Sequence, residues 1–327
     1  MAYFDKYGVE YSDDKKTLVK CPKDFLGEYV VPYSTEEIGP YAFMDCINIS
    51  SITIPDSVLI IGECAFRECK NLKHIVIPQG NVVIADGTFA YSGLSSIILP
   101  NSLEKICESA FFNCVKLESL IIPNRVTEIE KSAFGYCVKL KSIYIPNSVT
   151  RIGEFTFGGC KGLTSITIPD SVTRIESEAF SDCIFLTSIF LPNTISYIGK
   201  QAFNNCDSLT IYIPIGQKDR FAKMDGLKYF VNQIVENKNN VRLVDSSMRK
   251  VISSTQNERE KEENLRKLIE KREQERERTQ KVNKRIVIFI IIAILGLVML
   301  FNAKCAKTKS NHHYDYFDPS MEYRHSD

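Results

Sequence analysis

Between residues 32 and 215 the chain repeats one short pattern of apolar and polar positions. The clearest copy begins at Leu163 and reads Leu-Thr-Ser-Ile-Thr-Ile-Pro-Asp-Ser-Val-Thr-Arg-Ile. Prolines recur at 32, 55, 78, 100, 123, 146, 169, 192 and 214, evenly spaced except for two steps that are one position shorter. Eleven positions after each of the first eight stands a phenylalanine: Phe43, Phe66, Phe89, Phe111, Phe134, Phe157, Phe180 and Phe203. Ala precedes it in six copies, and Thr precedes Phe89 and Phe157. Three positions further come Cys46, Cys69, Ser92, Cys114, Cys137, Cys160, Cys183 and Cys206. A fixed period of about 23 residues is the signature of a repeat architecture.

Within a copy, Leu-x-x-Ile-x-Ile alternates as a short strand with one buried face. Pro ends that strand because it has no N–H for the next ladder bond. Val172 and Ile175 turn back into the core, Ala-Phe enters again, and Cys closes the coil. One coil cannot bury its own apolar face, but stacked coils share a core. The expectation is a β-rich solenoid with parallel strands stacked along one concave face, eight coils spanning about 40 Å at the usual strand spacing. The two shorter steps are single deletions, between Phe89 and Leu94 and between Leu209 and Pro214, expected in loops or strand edges.

The ends differ from the repeat. Residues 1–31 form an N-terminal cap, in which the turn cluster Ser12-Asp13-Asp14-Lys15-Lys16 predicts a hairpin over the first coil. The repeat array occupies 32–215. Residues 216–235 carry Phe221, Met224, Leu227, Tyr229, Phe230 and Ile234 among charges, which predicts a C-terminal cap with a short helix. A polar linker follows at 236–255, then a charged helical stalk at 256–285.

The repeat text Leu-x-x-Ile-x-Ile-Pro-x-Ser-Val-x-x-Ile-Gly-x-x-Ala-Phe-x-x-Cys, seen from Leu140 to Cys160 with Phe-Thr-Phe at 155–157, resembles the BspA-like (treponemal) class of leucine-rich repeats. The resemblance runs from about residue 8 to 235. It implies a leucine-rich-repeat solenoid and, at family level, adhesion and the binding of other proteins. It implies no catalytic residues, and the ligand is set by surface positions outside the repeat code.

The middle residue of each Ile-x-Ile is expected to point outward. Down the stack these are Thr53, Val76, Ile98, Ile121, Tyr144, Thr167, Phe190 and Tyr212. A solvated strand face favours polar residues there, so an apolar stripe marks a candidate site for a protein or glycan ligand. The alternative is that β-branched and aromatic residues simply favour strands. Two positions earlier stand Ser51, His74, Ser96, Ser119, Ser142, Ser165 and Ser188, small residues that leave room beside the stripe. No copy pairs its Ser with a His and an acid, so nothing points to nucleophilic catalysis, and no enzyme is expected.

Seven of the 11 cysteines share one repeat position. Neighbouring thiols would lie about 5 Å apart, within disulfide reach. In-register side chains, however, do not turn their Cβ atoms toward each other, so buried free thiols are expected. There is no C-x-x-C pair, and His74 is the only array histidine, so neither a metal site nor a cofactor is expected. The chain has 41 basic and 40 acidic residues and no basic excess for nucleic acid. Asn48-Ile49-Ser50 is a lone glycosylation sequon.

Residues 286–301, from Ile286 to Phe301, are apolar or Gly without a charge; with Asn302 and Ala303 the uncharged run is 286–303. As a helix this run is about 27 Å long, and flanking Lys284, Arg285 and Lys304 reach toward headgroups, which predicts one transmembrane helix. The preceding 256–285 holds 11 basic and 8 acidic residues with too few apolar positions for a sustained heptad seam. It reads as a solvated helix of about 45 Å, with a weak coiled coil as the alternative. A short polar tail at 304–327 follows, with Cys305, His312-His313 and a Tyr314-Asp315-Tyr316-Phe317 tetrad of trafficking-signal form. The expectation is a single-pass membrane protein at the cell surface. Orientation is in conflict with it. The N-terminus shows no signal peptide. Nine Lys or Arg across 266–285, against three across 302–321, favour a cytosolic solenoid.

Overall fold

The computed structural model describes residues 2–237. The expected linker, stalk, membrane helix and tail lie outside the described residues. Among the described residues no helix is long and apolar enough to cross a membrane. The described chain is a β-solenoid with the expected period, and each coil contributes strand to two parallel ladders. The first ladder is built from the Leu-x-x-Ile-x-Ile segments, with in-register pairs such as Ser165↔Ser188, Ile166↔Ile189 and Thr167↔Phe190. The second was not expected. It is built from two-residue strands at Val83–Ile84, Lys105–Ile106 and Glu128–Ile129, and again at Arg151–Ile152, Arg174–Ile175 and Tyr197–Ile198. Their isoleucines point inward and are buried.

The third side of each coil is a corner rather than a strand. There the Phe N–H donates to the Ala or Thr carbonyl one coil ahead: Phe43 to Ala65, Phe66 to Thr88 and Phe157 to Ala179 at 2.8 Å, and Phe134 to Thr156 at 2.9 Å. The corner requires a left-handed residue two positions before and two after each Phe. These are Tyr41 and Asp45, Cys64 and Glu68, Ser109 and Asn113, Ser132 and Tyr136, Glu178 and Asp182, and Gln201 and Asn205, with Tyr91 and Phe155 in the two coils that use Gly87 and Gly159. A side chain in that region costs about 1–2 kcal/mol. The inter-coil bonds made by the same segment offset the cost: Tyr41 N–H donates to Glu63 at 2.9 Å and Asp45 N–H to Arg67 at 3.0 Å.

Inside the corner the eight phenylalanines form one column. They are wholly buried, with ring centroids 5.2–5.6 Å apart and planes within 16° of parallel. Non-repeat aromatics close both ends: Tyr29 against Phe43 at 6.0 Å, and Phe230 edge-on to Phe203 at 6.1 Å. The cysteine column runs beside it. Cys69, Cys114, Cys137, Cys160, Cys183 and Cys206 each donate S–H to the Phe carbonyl of the preceding coil at 3.0–3.2 Å. All the described cysteines are free thiols. Where Ser92 replaces Cys, its hydroxyl lies 3.4 Å from Cys114 Sγ.

Hydroxyls two positions after several of the prolines bond carbonyls of the preceding coil. Ser148 donates to Val126 O at 2.5 Å, Ser171 to Val149 O at 2.6 Å and Thr194 to Val172 O at 2.9 Å. At Gly80 the hydroxyl is missing, and Asn81, buried at the next position, donates to Val58 O at 2.9 Å instead. The first shortened step falls at Gly93, whose backbone abuts the Lys70 carbonyl so closely that a Cβ has no room. The second falls just before strand Thr210–Ile213, which keeps its register with Ser188–Phe190.

At the N-terminus β1 (Tyr3–Phe4), β2 (Glu10–Tyr11) and β3 (Thr17–Lys20) form an antiparallel hairpin extending the second ladder. Its turn is closed by Asp14, which accepts from Ser12 Oγ at 2.7 Å and Lys16 N–H at 3.0 Å. The first-ladder strand β4 (Gly27–Val30) pairs with Ile49–Thr53. At the other end comes the expected short helix, Lys218–Ala222, with Phe221 buried. A final strand, Ile234–Glu236, then rejoins the first ladder beside Thr210–Ile213.

Phe157→Ala removes a central member of the column and should cost about 3–5 kcal/mol in denaturant unfolding; a loss below about 1 kcal/mol would mean that the column is not the core. Burial pushes the Cys114, Cys160 and Cys206 thiols up to about 12 from an ordinary 9.0. Because the folded-state values are raised, the unfolded chain loses its protons first, so stability is full below pH 9 and falls as pH rises past it. Melting temperature should therefore drop between pH 9 and 12, and less so when Cys114 and Cys160 are both replaced by Ser.

Candidate functional site

The first-ladder face carries the expected stripe, and the two terminal strands lengthen it. Val30 lies beside Thr53 and Val235 beside Tyr212 in register, so the stripe gains a member at each end. These two and Tyr144 are the open members, at 44, 43 and 37% exposure. Thr53, Ile121, Thr167 and Tyr212 are half-buried. Three members do not face water as expected: Val76 and Phe190 are 9% exposed and Ile98 only 2%. The reason is geometric. Side chains one strand spacing apart cover each other when both are bulky, and Ile98 has Val76 in register beside it. Phe190 is likewise stacked on Tyr212, 4.7 Å between centroids and 10° from parallel. The residues two positions before the stripe sit beside it, half-buried except for the buried Ser142, with His74 Nδ1 2.8 Å from Ser96 Oγ.

The stripe runs into a groove of about 420 Å³ at its C-terminal end, within the usual range for ligand clefts. Thr167, Phe190 and Tyr212 line it together with the polar residues Asp170, Asn193 and Asn237. The C-terminal cap reaches Asn193. Arg220, at the short helix, donates to Asn193 O at 3.0 Å, Asn193 Oδ1 at 3.1 Å and Ile195 O at 2.6 Å. Sequence reading placed Phe190 and Tyr212 here but missed Asn193 and the Arg220 clasp, which joins positions 27 residues apart outside the repeat.

A second aromatic surface lies along the corners. Tyr91, Phe112, Tyr136 and Phe155 follow one another at 5.3–5.6 Å, with Arg67 4.6 Å over Tyr91. The rings lie on backbone kept bare at Gly158 and Gly159, where a Cβ would run into Phe155 and Tyr136. Tyr91 and Tyr136 share the position two after Phe, whereas Phe112 and Phe155 stand one after and two before it, so no single column of the aligned sequence reveals all four.

One mixed cluster of ligand-type atoms arises among the described residues, Asp86, Cys107 and Glu130, all within 4.8 Å. Glu108 N–H donates to Asp86 Oδ1 at 3.1 Å and Glu130 Oε2 at 3.0 Å, and Lys105 pairs with Glu130 at 2.8 Å. Burial pushes the Cys107 thiol up to about 11, so it holds its proton at neutral pH. The cluster is accounted for by these bonds. Its members come from three successive coils, a spacing that no linear metal motif shows.

Solved structures of other chains are similar to this one. A leucine-rich repeat protein from Bacteroides ovatus is 24% identical over 65% of this chain and 69% of its own, with a TM-score of 0.51. One from Eubacterium ventriosum is 26% identical over 55% of this chain, at TM-score 0.48, and the match spans 49% of that protein. The T. pallidum leucine rich repeat protein is 22% identical over 67% of this chain and 92% of its own, at TM-score 0.46. No curated protein matches the chain significantly. The family profile for the BspA type leucine rich repeat region matches in six copies, over residues 23–141 and 127–220. The chain therefore belongs to the BspA type leucine rich repeat family.

Proposed function

We propose that this chain is a non-enzymatic binding protein whose first-ladder face, centred on the groove beside Thr167, Phe190 and Tyr212, takes a protein partner, and that residues 286–301 anchor it for display at the cell surface in adhesion. The observation that carries the reading is the continuity of the stripe with a groove lined by both aromatic and polar residues. A cleft of that composition supplies apolar area for affinity and fixed polar groups for specificity. The family supports protein binding as the general role. A cytosol-facing scaffold anchored by the same segment is the second reading, favoured by the basic bias before residue 286 and by the free thiols.

Phe190 is also a packing residue, so the clean test avoids it. A displayed random-peptide library panned on the whole chain in detergent should enrich binders whose affinity falls at least about tenfold in Tyr144→Ser with Thr167→Lys. Both side chains are at least partly exposed, so melting temperature should stay within about 2 °C. Binders that hold the variant equally well would place recognition elsewhere.

Protease added to intact cells addresses the side of the membrane. Surface display predicts loss of the solenoid without permeabilisation. Protection until the cells are permeabilised would establish the scaffold reading.

A further inference from the structure

We infer that the N-terminal end of the solenoid is a self-association site, at which β4 pairs antiparallel with β4 of a second copy. Terminal caps of repeat arrays normally present a polar outer face, which keeps the stack from adding further units. This cap does not. Leu26 is 73% exposed, Tyr7 52% and Val30 44%. Tyr7 packs edge-on against Phe25 at 6.0 Å and Tyr29 at 6.1 Å, which places its open ring at the same end as Leu26 and β4.

The backbone there is an unpaired sheet edge. Among the described residues β4 has Ile49–Thr53 on one side and no strand on the other. Gly27 N–H donates to Asn48 O and Val31 N–H to Thr53 O. The alternation of a parallel strand therefore sends the N–H and C=O of Glu28 and Val30 away from the sheet. Both residues are exposed. An edge of this kind is a template for another strand.

The chemistry selects a second copy in a two-fold arrangement. An antiparallel pair centred on Tyr29 sets Glu28 of each copy opposite Val30 of the other. Each Glu28–Val30 pair exchanges two backbone bonds, and no carboxylate faces a carboxylate. Leu26 and Tyr7 then flank the new pair from both copies, which is the self-complementarity that a two-fold interface needs. The strand at the other end of the solenoid differs in its side chains. In the strand Ile234–Glu236, Asn237 N–H turns inward to Ile213 O, so Ile234 and Glu236 face outward; Ile234 is buried and Glu236 accepts from Gly216 N–H at 2.8 Å.

The test places the photoreactive residue p-benzoylphenylalanine at position 26 of the whole chain in detergent. Irradiation should give a covalent dimer whose cross-link maps to residues 3–34 of the second copy, since the pairing sets position 26 opposite position 32. Val30→Pro removes an N–H that the internal ladder does not use, and it should cut the yield about tenfold with an unchanged melting temperature. Leu26→Lys, read by sedimentation, serves if that variant fails to fold, and should weaken the dimer similarly. No covalent dimer, cross-links mapping to residues 215–236, or a yield indifferent to Val30→Pro would each overturn the assignment.

Discussion

The structure depends on one bond repeated down its corners, from each Phe N–H to the carbonyl one coil ahead, made at nearly constant length from Phe43 to Phe180. A buried donor left unpaired there would cost about 1–3 kcal/mol, so every coil must present the same group at the same height. That requirement imposes the period. It also dictates the rest of the corner: flanking left-handed residues, small Ala or Thr beside the ring, and rings stacked at the coil spacing. The deletions at Gly93 and before Thr210 are tolerated because both fall between the Phe corner and the following strand. Conformational strain at residues such as Tyr41 and Glu68 is carried by the bonds those residues make to the next coil.

The buried half of the fold could be read from residue columns alone. Phe, Cys, Val and Ile recur because stacking gives each the same surroundings, so identity and burial coincide. The left-handed corners were hidden for a physical reason: outside Gly87 and Gly159 only Asp45, Asn113, Asp182 and Asn205 are of types that favour a positive φ, and Tyr, Glu, Ser, Gln, Cys and Phe fill the rest. The second ladder was hidden because two-residue strands are too short to show alternation. Its partners supply the regularity instead.

The candidate site was half visible. Tyr144, Phe190 and Tyr212 stand on the expected face, yet packing between neighbours decides how much of each meets water, and that depends on the pair rather than the position. Thus Ile98 is closed while Tyr144 stays open. Asn193, Arg220 and the corner rings Tyr91, Phe112, Tyr136 and Phe155 belong to no invariant column. They come together only once the coils are stacked. In a repeat protein the invariant residues maintain the scaffold, and recognition is left to the positions that vary.

The most direct test of coil equivalence is excision of one whole coil. Removing positions 147–169 joins Pro146 to Asp170 and restores the repeat text across the junction. Equivalent stacking predicts a shortened chain that still unfolds cooperatively, with Phe134 stacked on Phe180 in its crystal structure. Removing only 147–157, which ends out of register, should abolish folding. Loss of folding on the whole-coil excision, or equal tolerance of both deletions, would show that the coils are not equivalent stacked units.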